Sequence, residues 1–200
     1  MPVQNDKTGD LSLLQCLKSY CKVDLHMINR IDRPVSGLVI FSKNKKSHVE
    51  LQKQFSGTDL IKEYLAIVEK AEIPKEGKLH NFIRKSDQQH KTHVTQDSSD
   101  LACDLEYKVI DELDKYLVLH ISIKTGRFHQ IRAQLAHLGV PVKSDVKYGA
   151  RRGSADRSIC LHAWKYSFLH PSTHQLLRFE APLPENQIWP VVKNKLNLHE

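Results

Sequence analysis

One carboxylate stands between two permanent cations in the run Arg30-Ile31-Asp32-Arg33-Pro34. Guanidinium groups on either side favour the ionised form of Asp32 and lower its pKa. Such an acid is a poor proton donor but suits a nucleophile or a base. The same residues equally make a structural ion-pair turn in which the aspartate balances charge. A second cluster, Thr125-Gly126-Arg127-Phe128-His129-Gln130-Ile131-Arg132, gathers Arg127, His129 and Arg132 where a strand gives way to a helix. Backbone N–H groups at a helix start attract anions, and arginine adds bidentate recognition of phosphate or carboxylate. Arg132 lies one turn into that helix and can point back at a carboxylate; a solvated basic helix start is the plainer reading. Tyr64, in Lys62-Glu63-Tyr64-Leu65, offers a ring to stack on a base and a hydroxyl for proton transfer, or simply a core side chain.

Other chemistries find less support. His129 and His137 are conceivable acid–base groups, but a lone helical histidine is more often structural. Ser36 has no G-x-S-x-G elbow around it and no histidine at suggestive spacing. There is no G-x-G-x-x-G and no P-loop. The 12 histidines and 4 cysteines show no zinc spacing, so no metal is expected. Cys16, Cys21, Cys103 and Cys160 form no C-x-x-C pair and read as reduced thiols of a cytoplasmic protein.

These residues need elements to hold them. Leu14, Leu17 and Cys21 share a face and predict a helix over residues 11–21. Residues 37–41 form an apolar run that predicts a buried strand. Residues 44–55 read as a helix anchored by Val49, Leu51 and Phe55, and 63–69 as a strand. The stretch 71–100 is polar and irregular, with room for one short strand near His93–Gln96. Alternation predicts strands over Cys103–Asp111 and Tyr116–Lys124. A helix then starts at His129, carries Ile131, Leu135 and Leu138 on one side, and stops at Gly139 ahead of Pro141. Residues 143–158 read as a basic loop in which Lys143, Lys147, Arg151, Arg152 and Arg157 edge a phosphate-contacting surface or are simply solvated. Strands over Ile159–Leu169 and Leu176–Ala181 and a helix over Glu185–Leu196 complete the chain. Successive strands without intervening helices argue for an α+β domain with a mainly antiparallel sheet.

The 200 residues suit one domain, and no repeat or linker divides them. No apolar stretch approaches the roughly 20 residues of a membrane span, and the first residues lack the pattern of a signal peptide. A net charge of +7 favours a polyanionic partner, chiefly nucleic acid.

Taken in order, three segments resemble the RluA-type family of pseudouridine synthases. Asn29-Arg30-Ile31-Asp32-Arg33-Pro34-Val35-Ser36-Gly37 stands in place of H-R-L-D-x-x-T-S-G. Lys62-Glu63-Tyr64-Leu65-Ala66-Ile67-Val68 fits K-x-Y-x-A-x-V. TGRFHQIRAQLAHLGVPVKSDVKYG, residues 125–149, is similar to T-G-R-x-H-Q-I-R-x-H-L-A-x-x-G-x-P-I-x-G-D-x-x-Y-G. The likeness runs from residue 25 to about 185 and departs at Asn29 (histidine), Val35 (threonine), Gln134 (histidine) and Ser144 (glycine). It also lacks the usual first strand and K-P-x-G turn at its start.

The resemblance implies a mixed α+β domain with a long, bent, mainly antiparallel sheet, flanking helices and a central RNA-binding cleft. It implies isomerisation of a uridine in ribosomal or transfer RNA to pseudouridine, with no cofactor, by a cytoplasmic monomer that no membrane holds. Asp32 matches the catalytic aspartate, Arg132 the arginine that ion-pairs with it, and Tyr64 the tyrosine packed against the target base. Arg30 matches the arginine that fills the space left by the extruded nucleotide, and Leu161 an apolar pocket wall. Arg127 and His129 join them as candidate substrate contacts. The rival reading on the same fold is a non-catalytic RNA-binding or RNA-remodelling protein; a phosphodiester hydrolase would need a metal or a paired histidine site.

Overall fold

The computed structural model describes residues 1–57 and 60–196. Along the chain lie α1 (Leu13–Cys21), β1 (His26–Met27), β2 (Ser36–Gly37), β3 (Phe41–Ser42), α2 (Lys45–Ser56), β4 (Lys62–Glu69), β5 (Glu76–Ser86), β6 (Lys91–Thr95), β7 (Leu101–Glu112), β8 (Tyr116–Ile123), α3 (Gln130–His137), β9 (Leu161–Leu169), β10 (Leu176–Glu180) and α4 (Trp189–Lys195). One sheet of eight strands runs β10-β9-β4-β8-β7-β5-β6, with β2 beside β9. All its pairings are antiparallel except β2 with β9. The expected α+β architecture with a mainly antiparallel sheet is what the chain adopts.

β4 is buried from Tyr64 to Val68 because both of its faces are covered. Tyr64, Ala66 and Val68 join Leu119, Ile121 and Ile123 of β8 and receive Ile131 and Leu135 of α3. Leu65 and Ile67 turn the other way, with Val118, and receive Trp189 and Val192 of α4. The period of two along a strand thus sends one set of side chains to each layer. Each large apolar side chain fully buried this way contributes roughly 1.5–3 kcal/mol.

The helices begin where the chain supplies caps. Ser12 Oγ accepts from the Gln15 N–H, and the Gln15 side chain accepts from the Ser12 N–H, a reciprocal capping box that starts α1. Asn44 accepts from the Ser47 N–H at 2.8 Å and starts α2. Leu51 and Phe55 anchor α2 as expected, but Val49 is exposed and anchors nothing. α3 ends at Gly139, whose φ of +88° is the left-handed conformation of a helix stop.

Three expectations are corrected. Residues 37–41 do not make one strand. Gly37 pairs with Ala163 of β9, whereas Phe41 pairs with Met27 of β1. The chain changes partners within the run, which is only half-buried. The polar stretch 71–100 carries two strands, including the eleven-residue β5. β5 hid because one of its faces is solvated and the other is only partly covered. Loop 143–158 leaves Lys147, Arg151, Arg152 and Arg157 exposed, but it is not loop throughout: Ser144, Asp145, Tyr148 and Ala150 are buried around a single 3-10 turn, Val146–Tyr148.

Gly37 shows how tightly β2 is set. Its φ is +113°, and a Cβ there would sit 2.2 Å from the Ala163 carbonyl oxygen. Gly37→Ala therefore meets both backbone strain and a backbone clash. The expected cost is at least about 2 kcal/mol, read as a fall in the midpoint of urea unfolding. A loss under about 0.5 kcal/mol would show that β2 shifts freely.

Candidate active site

α3 buries six of its eight residues, and three of those, Gln130, Arg132 and Gln134, are polar. Buried polar groups must find partners, and these partners organise the site. Gln130 Oε1 accepts from the Thr125 hydroxyl at 2.8 Å and from the Arg127 N–H at 3.1 Å, wrapping the 125–127 loop over the helix start. Its amide nitrogen donates to the Asp104 carbonyl. Gln134 donates to Asn81 Oδ1 at 2.9 Å, tying α3 to β5. The replacement of histidine by Gln134 is thus met by a bond within the core.

Arg132 is 3% exposed and is shared between two acids. Its Nε and Nη2 donate to the two oxygens of Asp145 at 2.7 and 2.8 Å. Its remaining Nη1 donates to Asp32 Oδ2 at 2.9 Å. Asp145 itself is 1% exposed. Asp145 takes the bidentate face and fixes the guanidinium plane, leaving one donor aimed at Asp32.

Asp32 sits in a reverse turn closed by a 2.9 Å bond from the Val35 N–H to its own carbonyl. The two flanking arginines do not both attend it. Arg33 turns away and pairs with Asp6 and Asp10, with a further 2.9 Å bond to the Thr8 hydroxyl. Burial pushes the Asp32 carboxyl above its ordinary value, and Arg132 and Arg30 pull against that push. The expected lowering of its pKa is corrected: one neighbour is absent, and loss of solvent outweighs the cations.

His129 adopts a left-handed φ of 54° at the start of α3. Its ring stacks on Phe128, centroids 3.8 Å apart, and its Nε2 lies 3.6 Å from Asp32 Oδ2. Nδ1 lies 2.9 Å from the Tyr148 hydroxyl, which accepts the Thr92 N–H at 2.8 Å. With that acceptance made, the phenol proton is directed at Nδ1, which assigns the remaining imidazole hydrogen to Nε2 on the Asp32 side. Burial, with Arg132 next, pushes the His129 pKa down to about 3, so the ring is neutral. A histidine buried neutral binds a proton when unfolded but not when folded. Its contribution is complete above about pH 6.5 and drains away as pH falls towards 3. By pH 4 the loss amounts to about 3 kcal/mol. Unfolding measured between pH 7 and 4 is expected to show a shallower acid decline for His129→Asn than for the parent. Parallel declines would mean the ring accepts a proton in the folded state.

Tyr64 stands 8% exposed at the side of the same cleft. Its hydroxyl meets that of Tyr166 at 2.9 Å. Asn29 Nδ2 donates to Tyr166 at 3.3 Å, while Asn29 Oδ1 accepts the Ile40 N–H at 2.8 Å. Asn29, another departure from the family pattern, thereby clamps the phenol pair to the 38–40 backbone. Burial pushes Tyr64 up to about 12 and holds Tyr166 well above an ordinary phenol.

An open cleft gathers all seven of the site residues expected from sequence: Arg30, Asp32, Tyr64, Arg127, His129, Arg132 and Leu161. Leu161, 3% exposed, opens β9 and supplies apolar wall beside Val35 and Ile123. Arg30 and Arg127 are exposed at the mouth. Arg30 lies 5.8 Å from the centroid of Phe128 and Lys85 of β5 lies 5.5 Å from it. What the residue-by-residue reading missed is the support: Asp145, Tyr148, Thr92 and Gln130. For Asp145 and Tyr148 a signal existed, since both stand in the S-D-x-x-Y-G end of the third motif. Ser36 does meet a histidine, His162, at 2.8 Å, across 126 residues of sequence. His162 is sealed at 2% exposure against Trp189, so this pair packs the interior.

The family described as RNA pseudouridylate synthase matches residues 7–137. An uncharacterized RNA pseudouridine synthase of Bacillus subtilis, YlyB, is 32% identical over 80% of this chain, which spans 52% of that protein's length. The tRNA pseudouridine synthase C of Haemophilus ducreyi is 31% identical over 97% of this chain and 86% of its own. The ribosomal large subunit pseudouridine synthase D of Nitrosomonas europaea is 29% identical over 80% of this chain and 48% of its own. Against YlyB and the Nitrosomonas protein the chain thus covers about half of the relative. Among solved structures, human RNA pseudouridylate synthase domain containing 1 superposes with a TM-score of 0.73 at 21% identity, over 86% of this chain and 74% of that one. A likeness at that identity speaks for the fold, whereas the family match spans well over half of the chain. The chain belongs to the RNA pseudouridylate synthase family, in its RluA-type branch.

Proposed function

We propose that this chain isomerises a specific uridine of structured ribosomal or transfer RNA to pseudouridine, with Asp32 as the reacting carboxylate. The observation that carries the proposal is the 2.9 Å bond from Arg132 to Asp32 on the floor of a cleft walled by Tyr64. The reaction breaks the bond from the ribose to uracil nitrogen one, rotates the base, and rejoins it through carbon five. The hydrogen displaced from carbon five is balanced by one gained at nitrogen one. Asp32 serves as nucleophile or base. Arg132 keeps it charged where an unpaired buried carboxylate would take up a proton.

The target base must leave its stack, at a cost of a few kcal/mol. Arg30, at the mouth, takes the space it vacates, and the Tyr64 ring packs on the extruded uracil. Arg127 and its basic neighbours hold the phosphates, which fix register but do not choose sequence. The test is pseudouridine mapping of cellular ribosomal and transfer RNA with and without the gene. One or more sites should revert to uridine when it is deleted. An unchanged map, together with no conversion of deletion-strain RNA by the purified chain, would overturn the proposal.

A further inference from the structure

A buried cation beside the cleft has no task in the scheme above. Lys62 opens β4 two residues before Tyr64 and is 5% exposed. Its ammonium donates to the Phe55 carbonyl at 3.1 Å and lies 5.9 Å from that ring's centroid. An ammonium has three donors, and among the described residues no other acceptor and no carboxylate reaches this one. Its surroundings add positive charge: burial and then Arg127 both disfavour its protonated form. Buried lysines are as a rule paired, and this one is paired only with a backbone carbonyl.

Its position suggests what completes it. Gly126 lines the cleft, and a Cβ at Gly126 would lie 3.7 Å from Lys62 Nζ. Lys62 itself does not line the cleft, and only the bare backbone of Gly126 stands between its ammonium and the lining. Arg127, the next residue, lines the cleft as well. Two cations and a bare backbone stretch converge at one end of the site, while the acids Asp32 and Asp145 are taken up by Arg132. We infer that Lys62, Gly126 and Arg127 form an anion subsite that receives a phosphate flanking the target nucleotide. This rests on the proposed RNA substrate. A phosphate there supplies the oxygens that the Lys62 donors lack and separates two like charges.

The competing account is structural. Phe55 lies in the last turn of α2, so Lys62 also complements the negative end of that helix. The two accounts part on ligand preference. At fixed ionic strength, the full chain is titrated with uridine and with uridine 3′,5′-bisphosphate. The parent protein should prefer the bisphosphate by about tenfold or more, the worth of a charge-assisted hydrogen bond. Lys62→Met should erase most of that preference and leave uridine binding unchanged. A pure capping role would lower the thermal midpoint and leave the preference intact, which overturns the subsite. Should Lys62→Met fail to fold, Gly126→Val, which puts side-chain carbon between the ammonium and the cleft lining, carries the same test. Retained preference in that variant, or no preference in the parent, also overturns it. Pseudouridine formation by the parent is assayed separately. If it occurs while the preference ignores Lys62, only the subsite falls. If it is absent, and the cellular map is also unchanged, while the preference depends on Lys62, the subsite stands and the isomerase proposal falls.

Discussion

Asp32→Asn should give a folded protein that still binds RNA and forms pseudouridine at least about 10⁴-fold more slowly, if at all. The amide matches the carboxylate in shape, and its oxygen still accepts from Arg132 Nη1, so the turn closed by Val35 has no reason to move. What disappears is the charge. An amide is neither a nucleophile nor a base of useful strength, and among the described residues no other carboxylate lines the cleft to replace it, while Asp145 is held on both oxygens by Arg132. Burial already works against the Asp32 charge, so neutralising it removes a desolvation cost along with an ion pair. Thermal stability should change by no more than about 1 kcal/mol. Nucleoside analysis of RNA treated with the variant, beside a binding titration, decides the matter. Turnover comparable to the parent would end the case for Asp32.

Arg132→Met carries the largest expected effect on stability. The substitution keeps an unbranched apolar stem and removes the one cation that two carboxylates share. Asp145, at 1% exposure, would keep a buried charge without its partner. Removing one member of a buried pair costs about 3–5 kcal/mol. For a chain of this size that corresponds to a fall of roughly 6–20 °C in the thermal midpoint. Arg132→Met combined with Asp145→Asn should recover much of the midpoint and none of the activity. That contrast separates the support given to the fold from the positioning of Asp32. A single variant within about 1 kcal/mol of the parent would mean that Asp145 takes up a proton or reaches solvent, and the ion-pair account of the site would fail. Lysine is no substitute, since three donors in one plane on two acids require the guanidinium fork.

How far the sequence foretold all this depends on where each signal came from. Tyr116–Ile123 was plain because alternate residues are apolar and one face of β8 does meet the core. α3 was plain because Ile131 and Leu135 recur at helical spacing and Gly139 stops the turn. β5 was obscure because a strand with a wet face and a half-covered one carries no clean alternation. The Gly37–Phe41 run misled because apolarity reports burial but not the identity of the strand alongside. At the site, the gathering of Asp32, Tyr64 and Arg132 followed from motif order and resemblance. The direction of the Asp32 pKa shift did not follow. Adjacency in sequence placed Arg33 beside the acid, whereas the fold sends it to Asp6 and Asp10. Asp145 was hidden by its company, lying among Lys143, Lys147 and two arginines in what reads as a basic loop. Partners distant in the chain, such as Thr92 for Tyr148, leave no local trace at all.

The phenol pair beneath the cleft has a consequence for the chemistry. With Tyr64 held near 12 and Tyr166 well above 10, only about one Tyr64 in 10⁵ is a tyrosinate at pH 7. The Tyr64 phenol on the cleft wall therefore stays uncharged from acid to well above neutral pH. Its neighbours Asp32 and His129 do not share that constancy. Under the proposed function, stacking and reactivity thus fall to separate groups, and a change of medium would silence the reaction without altering the charge of the Tyr64 ring.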